Sequence, residues 1–188
     1  MKITKTSING VLIVKLNPIT DLRGSFVEVY QKNDFSKLGI NSDFNQDIIT
    51  NCLHKNTVRG LHFQKIPFEQ EKLVRCQRGA IRDISVDLRK NSNTYKKFFS
   101  IDLEDTDWTW IYIPAGVAHG FVSLDDNIQV TYKVSGDYSA QHATGIKWDD
   151  PVLNIDWQIE ESSIILSEKD KSLPNFDESN IYLSLIHI

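Results

Sequence analysis

Cysteine is scarce in this chain, with Cys52 and Cys76 alone among 188 residues. They form no C-x-x-C, and two thiols build neither a disulfide framework nor a metal site, so both are expected to be buried or idle. Long apolar runs are missing as well. No stretch approaches the ~20 residues that cross a bilayer, and Met1-Lys2-Ile3-Thr4-Lys5 lacks the apolar stretch of a secretory signal. The expectation is therefore a cytoplasmic protein without a membrane partner. There is no basic excess: 21 Lys and Arg stand against 25 Asp and Glu, and the net charge of −4 offers a nucleic acid no general surface. A G-x-G-x-x-G turn is also lacking, so a dinucleotide has no recognisable seat.

What is present is a series of short β-favouring runs: VLIV (11–14), SFVEVY (25–30), TVRGLHF (57–63), KLVRC (72–76), AIRDISVDL (80–88), FFSIDL (98–103), WIYI (110–113) and IQVTYKV (128–134). Ile84, Val86 and Leu88 alternate with Ser85 and Asp87, the period-2 pattern of a half-buried strand. Turn residues separate the runs at Arg78-Gly79, Asn91-Ser92-Asn93, Pro114-Ala115-Gly116 and Asp125-Asp126-Asn127. Many short strands at regular spacing predict an all-β sandwich or barrel of the jelly-roll kind. Helix signals are few: Asn33-Asp34 ahead of Phe35-Ser36-Lys37-Leu38, closing on Gly39, predicts one short helix. With no repeat or low-complexity linker, residues 1–176 read as a single domain. Residues 177–188, which include the apolar IYLSLIHI (181–188), read as a tail that could add an edge strand or a dimer contact.

Two histidines stand in strand-like settings: His62 in VRGLHFQ (58–64) and, 57 residues later, His119 in IPAGVAHGF (113–121). The Pro-x-Gly-x-x-His turn that re-enters an apolar strand resembles the second signature of the cupin superfamily. The ordered series RGLHFQ, EKLVRCQRGAIRDISVDLRKNS, YIPAGVAHGF, YKVSGDYS, GIKWDDP and LSEKD resembles the dTDP-4-dehydrorhamnose 3,5-epimerase family from about Ile13 to Pro174. That resemblance implies a cupin-type jelly-roll barrel acting on a nucleotide-diphosphate 4-keto sugar. Most cupins hold a metal with two closely spaced histidines, a glutamate and a later histidine. Here Gln64 follows His62 by two, and Lys72 lies where a liganding carboxylate is expected. An ammonium has no lone pair to offer and repels a cation, and two histidines fall short of a catalytic zinc set. No metal and no cofactor are expected.

A ketone acidifies the C–H bonds on both neighbouring carbons. Removing such a proton takes a base that titrates near neutrality and a group that holds the enolate oxygen. An unperturbed imidazole, with a pKa of ~6.5, suits the first task, usually with a carboxylate fixing its tautomer. The resemblance makes His62 the base and Asp170, in LSEKD (166–170), that carboxylate. It makes Tyr132, in VTYKV (130–134), the acid that returns a proton to the opposite face, with Tyr138 in GDYS (136–139) a weaker candidate. Lys72 becomes the stabiliser of the enolate oxygen, and His119, Gln46 and Lys169 become substrate contacts. Arg59 is a candidate for the diphosphate, since guanidinium forks bind phosphate oxygens bidentately. Arg23, Phe26 and Glu28, in Arg23-Gly24-Ser25-Phe26-Val27-Glu28, match family residues that reach the nucleotide from a neighbouring subunit. The resemblance therefore implies a homodimer with shared sites.

Two positions depart from the family pattern. Its Gln-Asp-Asn becomes Gln46-Asp47-Ile48, and Ala143 stands where a glutamate is usual. Both changes fall among substrate contacts and spare the proton-transfer set. A GDP-linked 4-keto-heptose of capsule assembly is therefore an alternative to a dTDP-linked sugar, and inversion at C3 or C5 alone remains open. Further alternatives are a sugar-nucleotide 3,4-ketoisomerase and a non-catalytic sugar-binding cupin.

Overall fold

The computed structural model describes residues 1–177; the apolar run at 181–188 lies outside them. Thirteen strands and two short helices are described: β1 (Lys2–Lys5), β2 (Leu12–Lys15), β3 (Ile19–Asp21), β4 (Gly24–Phe26), α1 (Lys32–Lys37), β5 (Phe44–Cys52), β6 (Val58–Gln64), β7 (Lys72–Arg78), β8 (Ala80–Asp87), β9 (Phe98–Glu104), β10 (Thr109–Ile113), β11 (Val117–Ser123), β12 (Ile128–Ser135), β13 (Ala143–Gly145) and α2 (Glu168–Lys171). One sheet runs β1-β2-β10-β7-β12-β5, the facing sheet runs β13-β6-β11-β8-β9, and β3-β4 is a separate hairpin. All paired strands are antiparallel. This is the expected cupin-type jelly-roll barrel.

Side-chain alternation explains the layers. Between the sheets, Val74, Cys76, Ile81, Ile111, Phe121 and Val130 form a dry core at one end of the barrel. A second cluster lies outside the five-stranded sheet, where Ile84, Val86 and Ala118 meet Ile146, Leu153 and Trp157 of the C-terminal segment. A third packs Phe35 of α1 on Leu73 and Trp110, outside the six-stranded sheet. The fold therefore covers β8 on both faces. Ser85 and Asp87, read as the solvent side of a half-buried strand, are fully buried, and so is Asp83.

Other readings are also corrected. Gln31 caps α1 by accepting from the Asp34 N–H at 3.0 Å, so the helix starts ahead of the Asn33-Asp34 signal that the sequence suggested. The SFVEVY run is a strand only through Phe26; Val27, Val29 and Tyr30 instead pack as irregular chain against the third cluster. β5 went unread because FNQDIITNC is polar, as suits an edge strand with a largely exposed surface.

Two glycines let the five-stranded sheet close. Gly60 has φ +111°, and a Cβ there would stand 2.7 Å from both Gly120 Cα and the His119 carbonyl oxygen. A Cβ on Gly145 would meet Leu173 Cδ1 at 2.8 Å and overlap the Leu61 carbonyl oxygen. The chain after Gly145 is then pinned by Asp150 of the GIKWDDP motif. Its buried carboxylate accepts from the N–H groups of Val152, Leu153 and Phe176 at 2.9, 2.8 and 2.6 Å. That anchorage brings α2 back to the open end of the barrel.

Candidate active site

The open end holds a cavity of about 280 Å³ between the two sheets. His62 on β6 and His119 on β11 line it from the five-stranded sheet, and Lys72 on β7 and Tyr132 on β12 line it from the facing one. The two histidines are direct cross-strand partners. Each imidazole is bonded to a carboxylate from a different part of the chain.

His62 Nε2 lies 2.6 Å from Asp170 Oδ1. Ser167 caps α2 by accepting from the Asp170 N–H at 3.1 Å, which fixes where the carboxylate points. Burial alone would raise the Asp170 carboxyl. The hydrogen bonds from His62, Ser167 and the Gly60 backbone outweigh it and hold the group below its usual value. An ionised Asp170 accepts from Nε2–H, so Nδ1 carries the lone pair available to substrate. The imidazole is about a third exposed while the carboxylate is buried, so the ring is open to a ligand in the cavity.

His119 Nε2 lies 2.7 Å from Asp83 Oδ2, and both side chains are buried. Asp83 escaped the sequence reading, although the period-2 pattern of AIRDISVDL places it on the same face as Ile81, inside the barrel. Its charge also acts on the facing sheet. Burial pulls the Lys72 ammonium down to about 8, and Asp83 partly offsets that. Burial pushes the Tyr132 phenol far up, and Asp83 adds to the shift while Arg59 opposes it. Tyr132 therefore stays protonated across the working range. Its ring meets the His119 imidazole edge-on, with centroids 6.0 Å apart.

Arg59, Tyr138 and Lys169 line the same cavity. Arg59 is anchored rather than neutralised: Nε donates to Cys52 Sγ at 3.3 Å and Nη2 to the Asn51 carbonyl at 3.2 Å. Both cysteines are buried and free, and burial pushes the Cys76 thiol up to about 12. Gln46 stands outside the lining and donates to the Gly136 carbonyl at 3.3 Å. Arg23, Phe26 and Glu28 are exposed on or just after the separate hairpin, where Arg23 pairs with Asp21. This chain's own fold does not bring those three to its cavity. The two departures from the family pattern, Ile48 and Ala143, both line it.

Comparison with known proteins agrees with this fold. The sequence profile for dTDP-4-dehydrorhamnose 3,5-epimerase matches residues 5–178. The chain belongs to the dTDP-4-dehydrorhamnose 3,5-epimerase family. It is 40% identical to the Sinorhizobium fredii dTDP-4-dehydrorhamnose 3,5-epimerase, over 97% of this chain and 93% of that one. The crystal structure of the Elizabethkingia anophelis enzyme of that name superposes with a TM-score of 0.90 at 39% identity, covering 96% of this chain and 98% of the other. A Legionella pneumophila family member, solved with dTDP-4-keto-L-rhamnose, also gives 0.90 at 31% identity, covering 97% and 98%. Like other members of the epimerase family, the protein is an isomerase of nucleotide sugars. No helix among its described residues is long and apolar enough to cross a membrane.

Proposed function

We propose that this chain inverts C3 and C5 of a dTDP-linked 4-keto-6-deoxy sugar by proton transfer through an enolate. The observation that carries this reading is the opposition of His62 and Tyr132 across one cavity, one on each sheet. His62 Nδ1 takes the proton from the carbon beside the ketone, and the C–H electron pair moves onto the ketone oxygen. The imidazolium is stabilised by Asp170 and the enolate oxygen by the Lys72 ammonium, with the Asp83-held His119 beside them as a substrate contact. Tyr132 then gives its proton to the opposite face of the carbon. Solvent resets both groups, so the step is redox-neutral and needs neither nicotinamide nor metal.

Arg59 and Lys169 supply positive charge for the diphosphate, with Gln46 and Tyr138 at the rim. Arg23, Phe26 and Glu28 serve the site of a second copy, which makes the working form a homodimer. The exposed Ile19, Leu22 and Phe26 of the unsupported hairpin favour that assembly. Residues 1–176 act as one domain, and the reaction belongs in the cytoplasm. The relatives' names support a thymidine-diphosphate sugar over the GDP-linked heptose, ketoisomerase and non-catalytic readings.

Proton NMR of dTDP-4-keto-6-deoxyglucose in deuterium oxide tests this. The protein should exchange the C3 and C5 protons and yield the inverted sugar, and the GDP-linked analogue should react far more slowly. His62→Asn should lower exchange by about 10²–10⁴-fold. Ketone migration without inversion, or exchange undiminished in that variant, contradicts the reading.

A further inference from the structure

Gln64 lies two residues beyond His62, where a metal-holding cupin carries its second histidine. Its buried carboxamide is spent on the two loops that rim the cavity. Nε2 donates to the Phe68 carbonyl at 2.6 Å and to the Asp137 carbonyl at 3.0 Å, while Oε1 accepts from the Ser139 N–H at 2.8 Å. A carboxamide offers two N–H donors and an acceptor together; histidine and glutamate of comparable reach do not.

Asp137 and Ser139 flank Tyr138, so Gln64 grips the backbone on both sides of that residue. The grip belongs to a closed circuit. Ser139 Oγ and His142 Nδ1 are 2.8 Å apart, the His142 ring lies 4.5 Å from the Phe68 ring, and Lys65 N–H donates to the His142 carbonyl at 3.0 Å. Tyr138 itself is 62% exposed and lines the cavity, so its phenol can move although its backbone is held. A polar loop such as GDYSAQH loses conformational freedom when it orders, and ordering it before substrate arrives removes that cost from binding.

We infer that Gln64 is a positioning residue, whose three hydrogen bonds hold the Tyr138 loop at the cavity mouth so that the phenol closes on the bound nucleotide sugar. This rests on the proposed epimerase reading.

The test is a double-variant cycle with amide exchange. Gln64→Leu keeps the bulk and removes all three bonds; Gln64→Glu keeps the acceptor for Ser139 and removes both donors, and serves if the first fails to fold. Either should speed amide exchange across residues 136–142 and lower kcat/KM by roughly 10–100-fold, mainly through KM. In a Tyr138→Ala background the same change should cost less than about threefold, because groups acting through one contact do not add. An equal loss in both backgrounds, wild-type kcat/KM in a folded variant, or unchanged amide exchange overturns the inference. If the wild-type protein neither exchanges nor inverts the sugar, the epimerase reading fails, and the amide exchange still decides whether Gln64 holds the loop.

Discussion

Lys72 sits where burial opposes its charge, and its pH behaviour follows. An unfolded lysine titrates near 10.5, and burial brings this one to about 8. Between those values the unfolded chain binds the extra proton, so stability from this group rises with pH across that window. Activity should run the other way, falling as pH passes about 8 and the ammonium proposed to hold the enolate oxygen discharges. Lys72→Met should raise the melting temperature at neutral pH by a few degrees while abolishing turnover. A pH–rate profile with no basic limb, or a destabilised Lys72→Met, contradicts this. His62, Lys72 and Tyr132 were legible in the sequence because each sits in a short motif of fixed composition. Asp83 was not, since an acid in an alternating strand looks solvent-facing until a second layer is known to cover that side.

Among the elements, strands with apolar alternation were readable and the polar ones were not. β5 carries Ile48 directly opposite Tyr132, yet its asparagines and aspartate disguise it as a loop. The three-residue β13 gives no periodicity to read, although it completes the five-stranded sheet and carries Ala143. α2 was recognisable as a motif and not as a helix, because four residues are too few to show a 3.6-residue period. The packing of β6 on β11 depends on Gly60, where any Cβ would collide with backbone rather than a yielding side chain. Gly60→Ala should cost about 2–5 kcal/mol in urea denaturation, from the clash and the positive φ together. A loss below about 1 kcal/mol would mean that the strands separate freely there.

Taken as one molecule, the barrel supplies the proposed proton-transfer groups and leaves part of the proposed nucleotide site unmade. Arg23 is almost fully exposed on a hairpin that joins neither large sheet. Co-expressed Arg23→Ala and His62→Asn chains should therefore form hybrid dimers in which one site has both residues intact. Activity above the average of the two parents is the expected result, and activity at or below it contradicts shared sites. The most direct test of the whole account is Tyr132→Phe with the dTDP-linked 4-keto sugar in deuterium oxide, following exchange and epimer formation together. With His62 intact and the phenol gone, deuterium should enter with configuration largely retained, and inversion should fall much further than exchange. Equal losses in both, or undiminished inversion, would contradict a base and an acid acting from facing sheets.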